Sequence, residues 1–202
     1  MGYNKIMTPQ TFILIGRSGC GKGTQSELIQ EYLKKIDPQG QIIYIQSGAE
    51  FREFIKGSSL TQRLSKVVYD KGEFQPEFLA IHMWTNILLQ KYSGVEHLIM
   101  DGMPRKYHEA GVLDSIWGFY KMQKPYVIYI DISKEESKKR LLARKRFDDI
   151  EEEIDNRLAW FETEVLPTLD FFKNNPDYNY CSVNGEQSIE VVHTEILSKT
   201  KI

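Results

Sequence analysis

The chain has 202 residues, of which 41% are hydrophobic and 27% charged, and its formal net charge is −2. This length predicts one domain with a substantial core, and the weak net charge argues against a general nucleic-acid binder. Two cysteines provide no disulfide framework, residues 1–10 lack an apolar signal-peptide region, and no apolar run reaches membrane-spanning length. We therefore expect a cytoplasmic protein with no nucleic-acid or membrane partner.

A strand, a glycine-rich turn and a helix are the first predicted elements. The apolar run 11–15 predicts a strand, and residues 28–33 carry apolar side chains at helical spacing. Between them, residues 16–24 read Gly-Arg-Ser-Gly-Cys-Gly-Lys-Gly-Thr. Glycines allow backbone N–H groups to turn toward an anion, and the helix N-terminus and Lys22 add positive charge. This combination predicts a phosphate-binding loop whose lysine faces solvent.

The rest of the chain alternates between strand and helix patterns. Four further strands are predicted by apolar runs, at 41–45, 97–100, 126–132 and 178–183. Six helical patterns lie between and after them, at 60–69, 77–90, 108–120, 134–144, 149–173 and 189–197. This order predicts an α/β fold with a five-stranded parallel sheet and helices on both faces. Ligands of such folds bind beyond the strand C-termini, where the chain has its glycine-rich loop, Ser47-Gly48 and Asp101-Gly102.

Arginines are frequent near these strand ends and in the later helices. The candidates for phosphate binding are Arg52, Arg105, Arg140, Arg144, Arg146 and Arg157. Arginine offers planar paired donors that match phosphate oxygens, but a charge run on a helix is more often a solvated face. Asp148 and Asp149 hold these arginines, begin a helix, or do both. We expect the three tryptophans, Trp84, Trp117 and Trp160, in the core.

Several motifs, in order, resemble the adenylate kinase family of nucleoside monophosphate kinases over about residues 11–197. Residues 22–25, Lys-Gly-Thr-Gln, are similar to the end of the family's phosphate loop. Residues 47–52, Ser-Gly-Ala-Glu-Phe-Arg, resemble its Thr-Gly-Asp-x-x-Arg segment at the monophosphate site. Residues 101–105, Asp-Gly-Met-Pro-Arg, resemble its Asp-Gly-Phe-Pro-Arg signature, and residues 140–157 resemble its run of catalytic arginines.

The resemblance implies a three-layer kinase fold and reversible, Mg²⁺-dependent phosphoryl transfer from ATP to AMP, giving two ADP. It implies a single domain over 1–202, with an acceptor-binding subdomain at 47–76. The implied ATP-binding residues are Gly19, Cys20, Gly21, Lys22, Gly23, Thr24, Arg140 and Gln187. The implied AMP-binding residues are Ser47, Gly48, Arg52, Phe74, Gly102, Arg105 and Glu109. The implied catalytic residues are Lys22, Arg105, Arg144, Arg146 and Arg157, and Asp101 is expected to hold Mg²⁺ through water.

The chain departs from the family pattern in three places. Ala49 replaces an aspartate in the monophosphate segment, with a small expected effect. Glu109 replaces the glutamine that reads the acceptor adenine, and an ionised glutamate can only accept hydrogen bonds. Only residues 145–147 remain where the family has a lid, and without cysteine there a zinc-binding lid is excluded. A homo-oligomer that covers this open side would replace the lid.

Three alternatives therefore stay open at the level of the sequence. The acceptor is AMP, or a monophosphate of another base, namely GMP, UMP or CMP. The acceptor stays open because the Glu109 carboxylate can accept hydrogen bonds from guanine as well as from the adenine amino group. A third possibility is a weakly active protein that senses nucleotides. Retention of Lys22, Asp101 and all six arginines favours an active adenylate kinase.

Overall fold

The computed structural model describes residues 7–146 and 149–202, and this part of the chain contains one five-stranded parallel sheet. Its strands lie in the order β2-β3-β1-β4-β5. They are β1 Thr11–Ile15, β2 Ile42–Gln46, β3 His97–Asp101, β4 Tyr126–Asp131 and β5 Asn179–Asn184. All five predicted strands are confirmed, with each end within one residue of its expected position.

Nine α-helices surround the sheet in the described residues. They are α1 Lys22–Ile36, α2 Ser47–Phe54, α3 Leu60–Asp70, α4 Glu77–Lys91, α5 Tyr107–Tyr120, α6 Lys134–Arg144, α7 Glu151–Trp160, α8 Leu166–Asn174 and α9 Ile189–Thr200. The sequence patterns did not predict α2, which has eight residues. The long helix predicted over 149–173 is instead interrupted by a π-helical turn, Phe161–Val165. Pro167 explains the interruption, because proline lacks the N–H of a regular helix and its ring crowds the preceding turn.

Helices cover both faces of the sheet, as the alternation of elements predicted. Successive side chains of a strand point to opposite faces, and β1 is buried along its whole length. Ile13 and Ile15 pack into a core with Trp84 of α4 and other residues of α4, α5 and α8. Phe12 and Leu14 pack into a second core with α1 and α9. The sheet is therefore the middle of three layers.

The strand order creates a crevice at the C-terminal ends of β1 and β3. These two strands are neighbours, but the chain continues from β1 to β2 on one side and from β3 to β4 on the other. Loops that diverge in this way leave a binding crevice in open α/β sheets. The N–H of Gly102, directly after β3, donates to the carbonyl of Leu14 in β1 at 3.1 Å. The two predicted ligand loops therefore lie side by side.

A small separate cluster joins α6 to α7. Leu141 of α6 packs on Ile154 and Leu158 of α7, and all three side chains are fully buried. The Lys138 ammonium adds ion pairs to Glu151 at 3.0 Å and to Asp155 at 2.9 Å. This packing brings the two arginine-bearing helices together. Within the described residues, no helix is long and apolar enough to span a membrane.

Candidate active site

The glycine-rich loop curls tightly between β1 and α1. Gly21, directly before α1, has a φ of +101°, a left-handed conformation that favours glycine. A Cβ atom on Gly16 would lie 2.5 Å from the carbonyl oxygen of Ile130, so β4 permits no side chain there. Because α1 begins at Lys22, its first unpaired N–H groups open into the crevice. This arrangement is suited to holding phosphate oxygens.

The Lys22 side chain folds back over this loop. Its Nζ donates to the carbonyls of Gly16 at 2.8 Å and Arg17 at 2.9 Å, and the side chain is half-buried. Lys22 is therefore only partly exposed to solvent, less than the sequence predicted, because the tight turn directs two carbonyls at the ammonium. The ammonium nevertheless lines the same cleft as Gly19, Gly21, Gly23 and Thr24.

Asp101 is a buried carboxylate at the end of β3. Its Oδ2 accepts hydrogen bonds from the Tyr44 hydroxyl at 3.0 Å and the Gln46 side-chain amide at 2.8 Å. Both partners come from β2, where Gln46 is paired in register with Asp101. Burial and the charge of Asp101 raise the pKa of Tyr44, which keeps the hydroxyl protonated as a donor. These two partners fix the direction in which the carboxylate enters the cleft.

Arg105 is held on the side of the cleft next to α2. Its Nε donates to the Gly102 carbonyl at 2.9 Å, and its Nη2 donates to the Ser47 hydroxyl at 3.1 Å. Ser47 in turn donates to the Gly102 carbonyl at 2.8 Å, which closes a small network. Burial lowers the pKa of Arg105, and the nearby Glu109 and Asp101 charges oppose that effect. An arginine nevertheless stays protonated, so a fixed positive charge faces the cleft.

Asp149 gathers three of the candidate arginines. Its carboxylate accepts from Arg144 Nε at 2.8 Å and Nη2 at 2.7 Å, and from Arg157 Nη2 at 3.1 Å. It also accepts from the backbone N–H of Arg146 at 3.1 Å. Burial alone would raise the pKa of Asp149, but hydrogen bonds and charge from Arg144, with help from Arg157 and Arg146, lower it to about 2. The aspartate therefore stays ionised and holds α6 to α7 at the arginines.

Glu109 lies in the first turn of α5 and is buried. Its Oε2 accepts from the backbone N–H of Arg105 at 2.8 Å. Burial raises the pKa of Glu109, and the Arg105 N–H and charge oppose this. The side chain lines a small cavity beside the main cleft, together with Phe74 and Arg105. The glutamate therefore ties the start of α5 to the preceding loop and lines this cavity.

Comparison with known proteins identifies the family. Residues 14–176 match the family model described as Adenylate kinase. The chain belongs to the adenylate kinase family. It is similar to the adenylate kinase of Leptospira biflexa, 33% identical with 92% of this chain and 96% of the relative covered. The adenylate kinase of Prochlorococcus marinus is 30% identical, with 91% and 94% covered. That of Encephalitozoon cuniculi is 30% identical, with 97% of each covered.

Membership in the adenylate kinase family makes the chain a nucleoside monophosphate kinase, a phosphotransferase that binds ATP. Most of the residues expected to serve that chemistry line one cleft. They are Gly19, Gly21, Lys22, Gly23, Thr24, Ser47, Gly48, Arg52, Asp101, Gly102, Arg105, Arg140, Arg144 and Arg146. Phe74 and Arg157 line its continuation, which shares Lys22, Arg52 and Arg105 with it. The expected adenylate kinase site is therefore one continuous surface.

Two expected nucleotide contacts of the adenylate kinase site lie elsewhere. Cys20 is only 2% exposed and packs beneath the loop against the core of α1 and α9. Gln187 is exposed, and its amide donates to the Asn184 carbonyl at 3.3 Å and to Glu195 at 3.2 Å. Their side chains do not line the cleft within the described residues. Phe147 and Asp148, which belong to the expected lid remnant and arginine support, lie outside the described residues.

Some basic residues of α6 line the cleft and others form a charged surface, so both interpretations that the sequence left open apply to this helix. Arg140 lines the cleft, with its Nε bonded to Glu136 at 2.8 Å. Arg144 also reaches the cleft, whereas Lys138 pairs with α7 and Lys139 is exposed. One face of α6 therefore lines the cleft, and the rest is a charged surface.

Sequence reasoning missed several residues that line or support this cleft. Tyr44 and Gln46 donate hydrogen bonds to Asp101. The sequence offered one indication of this, because residues two apart on a strand point to the same face of the sheet. Trp160 was expected in the core, as Trp84 and Trp117 are, but it is half-buried and lines the cleft. Its ring stacks on Phe74 with centroids 4.6 Å apart. Nothing in the local pattern of α7 distinguishes this tryptophan from a core residue.

Proposed function

We propose that this adenylate kinase family member transfers a phosphoryl group reversibly from ATP to AMP, giving two ADP, in the presence of Mg²⁺. The observation that carries this proposal is the continuity of one cleft. It joins the phosphate loop with Lys22 to Arg105 on the acceptor side, and the arginines held by Asp149 lie along it. Phosphoryl transfer depends on positioning and charge neutralisation, which this arrangement supplies.

The donor side is formed by the loop and the start of α1. Gly19, Gly21, Gly23 and Thr24 present backbone N–H groups to the donor phosphates, and Lys22 bridges the β- and γ-phosphates. To do so, its Nζ exchanges the Gly16 and Arg17 carbonyls for phosphate oxygens. Arg140 packs on the donor base. Gln187 contributes to this region through its backbone, since its side chain is directed elsewhere.

The acceptor side is formed by α2 and the start of α5. Arg52 and Arg105 bind the phosphate of AMP, with Ser47 and Gly102 orienting Arg105. Gly48 leaves space for the nucleotide beside Arg52, because a Cβ there would lie 3.2 Å from the Arg52 guanidinium. Phe74, stacked on Trp160, and Glu109 border the acceptor base. Residues 47–76 thus act as the acceptor-binding subdomain.

The arginines of α6 and α7 stabilise the group in transfer. Arg144, Arg146 and Arg157 are gathered by Asp149, so they are held in place rather than delivered by a long lid. Arg105 faces the same region from the acceptor side. Fixed positive charges next to the transferring oxygens lower the barrier most when they need no rearrangement. The catalytic set is therefore Lys22, Arg105, Arg144, Arg146 and Arg157.

The residues at the end of β3 fit a nucleotide-bound Mg²⁺. Asp101 accepts both of its hydrogen bonds on Oδ2, and Oδ1 accepts none from the described residues. The described part of the chain contains no group of three metal-ligating side chains. Mg²⁺ needs none, since it keeps several waters and takes oxygens from the phosphates. When bound, the ion neutralises charge on the donor phosphates; Asp101 orients its water shell.

We further propose a cytoplasmic location, because Cys20 and Cys181 are both free thiols. A homo-oligomer that covers the open side in place of a lid is also part of the proposal.

An acceptor screen tests the proposed reaction. Purified protein is mixed with ATP and Mg²⁺ and with AMP, GMP, CMP or UMP, and diphosphate formation is followed in a coupled assay. AMP is expected to be the best acceptor. Turnover that is faster with another monophosphate would contradict AMP as substrate. Nucleotide binding without turnover on any acceptor would favour a sensor instead.

A further inference from the structure

A small cavity adjoins the phosphate cleft on the acceptor side. It lies between α2, α4 and α5, next to Arg105. Its mainly apolar lining includes Phe51, Phe74, Ala80, Trp84, Met103 and Glu109. Such a lining suits a purine chemically, because the faces of a purine pack on apolar groups while its edge requires hydrogen-bond partners. The polar groups that border the cavity therefore decide which base is read.

Trp84 supplies an unused donor at this cavity. The side chain is 2% exposed, and its Nε1–H has no hydrogen-bond partner among the described residues. Of the buried polar side-chain atoms that lack a partner in the described chain, this is the one whose residue lines the cavity. An unpaired buried donor costs stability, so it calls for a functional explanation.

The other neutral polar side chains at the cavity are already engaged. Gln75 is paired at both ends with Ser65, since its amide donates to the Ser65 carbonyl at 2.9 Å and its oxygen accepts from the Ser65 hydroxyl at 2.7 Å. Ser47 donates to Gly102 and accepts from Arg105. These hydrogen bonds fix the orientation of both side chains.

The helical position of Trp84 directs its indole toward this space. Side chains on a helix lean back over the preceding turn, and the residue one turn earlier on α4 is Ala80. Alanine is small, and Ala80 and Trp84 both line the cavity. A larger residue at position 80 would fill that space.

Glu109 supplies the matching acceptor from α5. Its Oε2 is occupied by the Arg105 N–H, whereas its Oε1 accepts no hydrogen bond from the described residues. An ionised carboxylate cannot donate to the N1 atom of adenine, but it can accept from the N6 amino group. The indole N–H is a donor only. The two side chains therefore offer one acceptor and one donor to the same cavity.

We propose that Trp84 is a specificity residue for the acceptor base. Its Nε1–H donates to N1 of the adenine of AMP, while Glu109 Oε1 accepts from the N6 amino group. The proposal rests on the proposed function, because it assumes that AMP occupies this side of the cleft. The Trp84 indole thus acts as the donor and the Glu109 carboxylate as the acceptor, whereas one amide side chain can fill both roles alone.

Paired variants and an AMP analogue test this contact. In 1-deaza-AMP, a C–H group replaces N1 and cannot accept a hydrogen bond. Trp84→Phe keeps an aromatic ring but removes the donor. It is expected to raise KM for AMP about three- to tenfold, the range of one neutral hydrogen bond, with kcat, KM for ATP and KM for 1-deaza-AMP unchanged. Trp117→Phe is the matched control, because Trp117 is another buried tryptophan but does not line the cavity.

The wild-type protein provides a second readout that does not depend on how a variant folds. The indole N–H signals of the three tryptophans are followed by NMR during titration with AMP or 1-deaza-AMP, and assigned with Trp117→Phe and Trp160→Phe. The Trp84 signal is expected to move downfield with AMP and not with 1-deaza-AMP. Equal responses to the two nucleotides, or an equal rise in both KM values in Trp84→Phe, would overturn the contact while leaving the proposed function intact. Failure of the wild type to phosphorylate AMP would overturn both.

Discussion

Asp149→Asn removes the charge that holds the arginine cluster together. The Asp149 side chain is fully buried, and it accepts hydrogen bonds from the side chains of Arg144 and Arg157 and from the backbone of Arg146. Asparagine keeps the size but replaces one acceptor oxygen with a donor that faces guanidinium groups. We therefore expect a loss of both stability and turnover.

The expected loss of stability follows from the pKa of this carboxyl. Its ordinary value is 3.8, and in the folded protein it is about 2. That difference corresponds to roughly 2 kcal/mol at about 1.36 kcal/mol per pKa unit. Arg144 is 38% exposed, so solvent screening reduces the expected effect to about 1–2 kcal/mol. For a chain of this size, the melting temperature falls by about 2–8 °C.

The same reasoning fixes the pH dependence. The pKa of Asp149 is lower in the folded protein than in the unfolded chain, so the ionised carboxylate stabilises the fold above about pH 4. This contribution is lost as the pH falls from about 4 toward 2. The difference in unfolding free energy between wild type and Asp149→Asn should therefore be constant from pH 7 to 5 and shrink below about pH 4.

Urea unfolding at several pH values and steady-state kinetics provide the assay. Displaced arginines should reduce kcat about ten- to hundredfold with little change in the KM values, since they act on the group in transfer. Asp155→Asn is the matched control, because Asp155 is a half-exposed aspartate on α7 that pairs with Lys138. It should cost less than about 1 kcal/mol and leave kcat unchanged. If Asp149→Asn has the stability and kcat of the wild type, Asp149 does not hold the arginines in place for catalysis.

Three other outcomes are expected. Lys22→Met should lose most turnover while remaining folded, because it removes several kcal/mol of charge stabilisation in the transition state. Lys34→Met, on the exposed end of α1, should keep its turnover. Near-normal turnover in Lys22→Met would contradict the proposed role of Lys22. Tyr44→Phe should lower the unfolding free energy by about 0.5–1.5 kcal/mol and raise KM for ATP with Mg²⁺, because it removes a hydrogen bond to Asp101. Tyr126→Phe is the control, because the Tyr126 hydroxyl makes no hydrogen bond within the described residues. Without a long lid, the protein should prefer ATP over GTP only weakly, and ATP hydrolysis without an acceptor should be measurable unless the protein oligomerises. A protein that is monomeric by light scattering, strictly prefers ATP and shows no such hydrolysis would indicate that another segment replaces the lid.

Long-range contacts explain most of what the sequence did not predict about the site. Trp160 and Trp84 both occupy apolar positions of helices, yet one stacks on Phe74 in the cleft and the other is almost sealed. Tyr44 supports Asp101 only because β2 and β3 are neighbours in the sheet. The back-folded Lys22 depends on carbonyl directions in the loop, which residue types do not specify.

The sequence by itself determined the features that depend on local backbone chemistry. Alternation of apolar runs and helical patterns predicted all five strands and a sheet covered on both faces, and the glycines around Lys22 predicted the phosphate loop. The tertiary structure alone decided the order of the strands, the π-helical turn before Pro167 and which arginine side chains contact Asp149. The physical reason is the range of the forces involved. Glycine conformation and hydrophobic periodicity act between near neighbours, whereas a buried carboxylate acquires its partners only when packing brings separate helices together.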